Sequence, residues 1–492
     1  MIRFRPPFSF SLFWPIAFSI AGYLLFRDRF PLTPYFDFVP QLDIRSFSSS
    51  LSAGFEYALL LIVLFALYWR VTQLVWIEKR PFSPHLLFGL TLVYGLILIN
   101  TYPINATDIY RYVIRGRVKS VHQQNQFEMP PDAFPEDPFA KYAGEWSEET
   151  TPYGPVWEIV ATAVTSISGD NFYLGLLLFK GVGLLSLMGV GYVLWHIHAK
   201  QPPERRKAYT LLWCWNPAIL LTFVVNAHND ALMIFWLMVG VWFMRRNRLT
   251  LGFLFLVIAM LTKPIALLVL PFYFVANFRK LPDWSTRVRF TAVTLLSSLL
   301  LTWLAFLPFG SPVDLIFRLV RESSTSAGFS IVALLVLVNQ TLQIAILPIR
   351  FLQLALVVYI LFLLREFWRV VNGRSAPNAI QNSFTGYLLQ AANFRLWYTT
   401  WLLPWSLIEQ PITKKPSYRL KVVLWLLLTA QLSPLIFGHL RVYELDGDQL
   451  KAHLIAIPFT FGLPFLLAKI QRVNSAQFRI TKDENRTRIF TD

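Results

Sequence analysis

Residues 172–196 read FYLGLLLFKGVGLLSLMGVGYVLWH, an almost unbroken apolar run. A helix rises about 1.5 Å per residue, so roughly twenty such residues cross the ~30 Å hydrocarbon core of a bilayer. This run is therefore a spanning helix. Working outward from it, comparable runs lie near 8–26, 55–77, 85–103, 209–225, 230–244, 249–262, 264–277, 290–309, 349–368, 379–393, 397–410, 421–437 and 451–470. The expected fold class is all-α: a polytopic transmembrane helical bundle of about 12–14 spans, the shorter ones needing tilt or close neighbours. The run 329–348 is expected to be a short helix that does not cross. Span one ends in Arg27-Asp28-Arg29 without a small-x-small cleavage site before it, so it reads as retained.

Composition supports the same class. Of 492 residues, 55% are hydrophobic and only 15% charged, with 43 Phe and 17 Trp. A soluble chain of that make-up would expose large apolar patches, and a disordered one would be poor in aromatics. The net charge of +17 does not indicate nucleic acid, because Lys and Arg sit in short clusters between apolar runs. Those clusters (Arg3 and Arg5; Arg70, Lys79 and Arg80; Lys200 to Lys207; Arg245 to Arg248; Arg279 to Arg289; Lys414 to Lys421) fall on one side of an alternating path. That side is expected to be cytoplasmic, with both termini on it and a basic tail over 473–492. The single cysteine, Cys214, lies in an apolar run and reads as a small buried hydrophobe.

The opposite, outer side has a different character. Segment 104–155 carries eight acidic and five basic residues, a net of −3 in a strongly basic chain. Loops this long are usually functional or disordered, and the aromatic content favours order. The region 104–171 is read as an outer loop with short helices, one of them over 156–168. No boundary or repeat divides the rest, so 1–492 reads as one membrane domain.

Four polar motifs stand at outer helix ends. Asn105-Ala106-Thr107-Asp108-Ile109-Tyr110-Arg111-Tyr112 follows the third span; its acid suits either a general base or a helix N-cap. Asn226-Ala227-His228-Asn229-Asp230 joins two apolar helices, where polar side chains are costly unless they pair or line a wet cavity. The alternative is capping by Asn229 and Asp230. No second His or Cys stands at zinc-ligand spacing. Thr262-Lys263-Pro264 offers a cation that either snorkels or binds an anionic group. Arg395-Leu396-Trp397-Tyr398 places an arginine within an aromatic belt. Arg318, Arg321 and Arg441 are weaker cations of the same kind. Phosphate-binding cations beside a base are what a lipid-phosphate-dependent transferase requires.

These residues resemble a known family. Asp108 with Tyr110 and Tyr112, Gly116-Arg117, Asn125-Gln126-Phe127 and Thr151-Pro152-Tyr153-Gly154-Pro155-Val156-Trp157 resemble the first outer loop of GT-C membrane glycosyltransferases. The likeness is to the polyprenyl-phosphate-mannose-dependent alpha-mannosyltransferases of bacterial envelopes. His228-Asn229-Asp230-Ala231-Leu232, Thr262-Lys263-Pro264 and Arg395 to Pro404 fit it in the same order, over about residues 85 to 410. Asn125-Gln126-Phe127 departs from the family's usual Asn-Pro-Tyr.

The resemblance implies an inverting transferase on the outer face of the plasma membrane. Its donor would be a polyprenyl-phosphate sugar, with mannose as the sugar, and its acceptor a glycan or glycolipid. Asp108 would be the base on the acceptor hydroxyl. Tyr110, His228, Asn229 and Asp230 would line the sugar or acceptor site, and Tyr153, Trp397 and Tyr398 would stack on sugar faces. Lys263 and Arg395 would meet the donor phosphate, so that no metal or other cofactor is required. Membrane lipids, but no nucleic acid, are the further partners. The rival class is a transporter or lipid-linked-sugar flippase, which favours repeats and midplane polar sites over polar helix ends.

Overall fold

The computed structural model describes residues 10–47, 50–322, 328–344, 346–410 and 416–471. Arg3, Arg5, Lys414, Lys415 and the tail 473–492 lie outside the described residues, as does the side chain of Arg321. Within them helices are the only extended regular structure; the sole strand-like pairing is an isolated bridge between Pro31 and Thr101.

The helices begin where local chemistry favours it. Helices α1 (Phe10–Arg29) and α2 (Leu51–Trp76) are followed by α3 (Pro84–Leu98), where Ser83 accepts from the Leu86 N–H and Pro84 occupies the first turn. Proline there forfeits only an N–H that has no intrahelical partner. After α4 (Asp108–Ser120) and α5 (Pro155–Ser168), α6 (Phe172–Ile197) opens on Asn171, whose side chain accepts from the Leu174 N–H at 2.9 Å. Helices α7 (Pro203–Cys214) and α8 (Pro217–Leu220, continuing as a π-turn over Leu221–Val225) come next. They precede α9 (Asp230–Arg245), α10 (Leu249–Thr262), α11 (Leu270–Lys280) and α12 (Trp284–Phe306).

Six helices among the described residues are long and apolar enough to cross a membrane singly, among them α1, α6 and α12. Several runs read as uniform spans are shorter or interrupted. The run 209–225 is a pair of helices bent by 44° at Trp215-Asn216-Pro217, and counting that pair as one makes seven spans. Pro217 supplies no N–H and opens a new helix, with Asn216 capping it through the Ala218 N–H at 3.0 Å. The run 264–277 begins as a 3-10 turn, Pro264–Val269, and 397–410 likewise opens on one, Leu396–Trp401. The short helix expected within 329–348 is Ile331–Thr341, and that expected over 156–168 is α5.

Contacts gather the chain into two compact units, although no change of composition marks a boundary between them. One comprises the described residues of 1–326 and 360–383, the other those of 327–359 and 384–492. In the first, α9 and α10 form an antiparallel hairpin with the Phe255 ring stacked on Trp236 and Phe243, centroids 5.7 and 5.3 Å away. That hairpin puts the first residue of α9 beside the last turn of α10. Helix α4 lies against α5 and α6, so its first turn faces the same end. Two buried aromatics satisfy their polar tips on helix carbonyls inside the unit: Trp213 donates to the Leu187 carbonyl and Tyr68 to that of Leu212, each at 2.9 Å.

Candidate active site

Three separated segments meet where α4 and α9 begin and α10 ends. Asp108 opens α4 and is mostly buried; Arg111, one turn on along the same face, donates to its Oδ1 at 2.9 Å. The N-cap position, Thr107, makes no side-chain capping bond. From the α9 end, His228 Nδ1 lies 3.6 Å from Asp108 Oδ2 and 3.9 Å from Asp230 Oδ2. Lys263, immediately after α10, donates to Asp230 Oδ2 at 2.8 Å and to Asn229 Oδ1 at 3.3 Å. Asn229 therefore uses its side chain on Lys263, although it holds the N-cap position of α9.

Charge in this cluster is balanced: two carboxylates, one guanidinium and one ammonium surround an imidazole. Burial pushes His228 down to about 4, and the two neighbouring carboxylates do not offset that desolvation. The ring is thus neutral at neutral pH. The approach of Nδ1 to the two carboxylates favours the tautomer with its proton on Nδ1. The amide nitrogen of Asn229 and both side-chain polar atoms of Asn226 are buried without hydrogen-bond partners. Groups left so are costly in an apolar setting, and sites that receive polar ligands or water tolerate them. Among the described residues no three of His, Cys, Asp or Glu are disposed to ligate a metal ion.

The backbone around His228 is itself unusual. Leu221–Val225 winds as a π-turn, and the Asn226 N–H reaches back to the Leu221 carbonyl at 3.0 Å. Ala227 follows with φ of +53°, a left-handed conformation that costs a residue bearing a Cβ about 1 kcal/mol or more. Both features project His228, Asn229 and Asp230 together, and such strain clusters at functional sites.

The wall is supplied by Thr151-Pro152-Tyr153-Gly154-Pro155. The Tyr153 ring lies 5.4 Å from that of Tyr112 and 5.8 Å from Lys263 Nζ. The Gly154 N–H donates to the Thr262 carbonyl at 3.2 Å, and a Cβ on Gly154 would stand 2.0 Å from the Leu261 carbonyl oxygen. Glycine is required here by close approach of two backbones. Gly154→Ala is expected to destabilise the protein by about 2 kcal/mol or more and to loosen Tyr153 from Lys263; a thermal-unfolding midpoint equal to the wild type's would refute this.

Beneath the wall, Thr151 donates to Glu158 Oε1 at 2.5 Å while its Oγ1 accepts from the Tyr153 N–H at 3.2 Å. Glu158 is fully buried, and desolvation raises it to about 7, against the lowering effects of Thr151 and Arg115. The folded state therefore holds this proton more tightly than the unfolded chain, whose glutamate titrates near 4.5. Stability is fully present below pH ~4.5 and falls by about 3 kcal/mol as pH rises through 7. Glu158→Gln should abolish most of that slope in unfolding measured between pH 4.5 and 8. An unchanged slope would remove Glu158 as its source.

One expected residue of the first unit does not join the cluster. Tyr110 points away from Asp108 and packs against Phe172 and Tyr142, centroids 5.7 and 6.2 Å away. Arg395, Trp397 and Tyr398 belong to the second unit. There the Arg395 guanidinium lies 5.9 Å from the Trp397 ring, and Tyr398 stacks on Trp401 at 4.4 Å. Arg318 is buried and donates to the Thr150 carbonyl at 3.3 Å, with Glu149 at the same distance. Arg111 and Tyr112 enter the site although motif reading gave them no role. Their helical offsets of three and four from Asp108 were the available signal.

The described residues thus form an all-α polytopic membrane protein with an acid opening the helix that carries its polar cluster. Direct comparison is more specific. Residues 39–279 match the family model described as Alpha-(1->6)-mannopyranosyltransferase, N-terminal domain. The chain is 26% identical over 180 residues to Alpha-(1->6)-mannopyranosyltransferase A of Corynebacterium glutamicum, covering 36% of this chain and 35% of that one. It is 26% identical over 184 residues to the Mycobacterium tuberculosis protein of the same name, covering 37% and 35%. To Alpha-(1->6)-mannopyranosyltransferase B of Corynebacterium glutamicum it is 25% identical over 142 residues, covering 28% and 23%. The matches thus span about a third or less of the length of these relatives. They bear out the resemblance to bacterial membrane mannosyltransferases, and the family match contains Asp108, Tyr153, His228 to Asp230 and Lys263 but ends before Arg395.

Proposed function

We propose that this protein is a membrane mannosyltransferase that moves mannose from a polyprenyl-phosphate donor to a glycan or glycolipid acceptor on the outer face of the plasma membrane. The observation that carries the reading is the convergence of Asp108, His228, Asp230 and Lys263 within the family-matched part of the chain. In this reading Asp108 takes the proton of the acceptor hydroxyl as its oxygen bonds to the anomeric carbon. The bond from that carbon to the phosphate oxygen breaks on the opposite face, so the centre inverts and polyprenyl phosphate departs with the electron pair. Arg111 holds Asp108 Oδ1 and orients the carboxylate toward His228. The buried amides of Asn226 and Asn229 are matched to sugar hydroxyls, which both donate and accept. Lys263 is assigned to the phosphate, whose growing charge a fixed cation stabilises without a metal. Tyr153 serves as a sugar-stacking face.

The test is reconstitution in nanodiscs with synthetic polyprenyl-phosphate mannose and a short mannoside acceptor. Mass spectrometry and NMR of the product should show one added α-linked mannose. Transfer from a nucleotide sugar instead, or none from the lipid donor, would reject the proposal.

A further inference from the structure

Helix α6 carries one lysine in the middle of its apolar length, and it is fully buried. A cation inside a spanning helix is costly and normally pairs with a carboxylate or lines a functional path. Lys180 does neither: among the described residues it has no ion-pair partner, and its Nζ donates to backbone carbonyls alone. These are Thr101 at 2.7 Å, Val225 at closer range and Val224 at 3.5 Å. Thr101 begins the stretch that leads to Asp108. Val224 and Val225 close the π-turn that leads to His228. One turn along α6, Gly183 lets the helix lie against the same π-turn, where a Cβ would stand 1.8 Å from the Phe223 carbonyl oxygen.

A π-turn leaves its last carbonyls without helical partners, and a buried ammonium with three donors is the group that satisfies several at once. We propose that Lys180 is a positioning residue for the site. It ties the approach to Asp108 and the approach to His228 to one point, and so sets the distance between the two side chains. The catalytic part of this inference rests on the mannosyltransferase reading above; the tie between the segments does not.

Two arms test it. In the first, Lys180→Met is assayed with the lipid donor. The expected result is kcat lower by about 100-fold with the donor KM within about twofold, because Lys263, the cation assigned to the donor phosphate, stays and the spacing between Asp108 and His228 is lost. In the His228→Ala background the same substitution should cost less than about threefold more. An unchanged kcat, or losses that multiply in full, overturns the assignment. Should Lys180→Met not accumulate in the membrane, Gly183→Ala displaces the π-turn while keeping the lysine. It is expected to show the same kcat-selective loss, and wild-type kcat there counts against the proposal.

The second arm does not depend on activity. Hydrogen exchange of 102–107 and 226–229 should speed up about tenfold or more in Lys180→Met, with α9 and α10 unaffected. Unchanged exchange in both segments overturns the tie. If the wild type transfers no mannose, the functional reading fails and this arm alone decides the role of Lys180.

Discussion

Asp108→Asn is expected to lower mannosyl transfer by about 1,000-fold or more while leaving the protein folded. General bases contribute about 10²–10⁴ in rate, and an amide of the same shape cannot take the acceptor's proton. Asparagine keeps an Oδ1 acceptor for Arg111, whose guanidinium also lies 4.8 Å from the Trp146 ring, so the loss of stability is expected to be far smaller than the loss of activity. Activity and stability therefore separate in this variant. Turnover by purified Asp108→Asn within tenfold of the wild type, at an unchanged unfolding midpoint, would exclude Asp108 as the base. Loss of activity together with loss of the folded state would assign it a structural role instead.

Lys263→Met is expected to be the most destabilising single change in the site. Asp230 is completely buried and Lys263 is its close cationic partner at 2.8 Å. Removing one member of a buried pair strands the other charge in a low-dielectric setting, at about 3–5 kcal/mol. The double variant Asp230→Asn with Lys263→Met leaves no uncompensated charge and should recover most of that loss. Urea or thermal unfolding of the two variants in one detergent decides the point. A double variant no more stable than Lys263→Met would mean that the cost lies in packing of the lysine stem and not in the stranded carboxylate.

Much of the helical framework was legible from short-range pattern. The run at 172–196 became α6 almost to the residue, and the helices expected near 156–168 and within 329–348 are present. Those readings needed only apolar length and the chemistry of helix starts. The interruptions at Pro217, Pro264 and Leu396 were harder to see, because hydropathy averaged over twenty residues does not register a proline or a tight turn. Tyr110 illustrates a different loss. Two positions beyond Asp108 on a helix is about 200° around the axis, so it faces the opposite side, whereas Tyr112 returns to the site.

By itself the sequence determined that this is an all-α membrane protein. It also determined that its acid, histidine and lysine motifs stand at helix ends, in an order that resembles the mannosyltransferases. Hydrophobic length and helix signals are local properties, written in consecutive residues. Only the tertiary structure decided which of those motifs share one site. It paired Asp230 with Lys263 and brought His228 to Asp108, placed Arg111 on the Asp108 carboxylate, turned Tyr110 away, and set Lys180 against three carbonyls. The reason is physical: a buried charge or an open carbonyl must find its partner in space, and that partner lies many residues away along the chain.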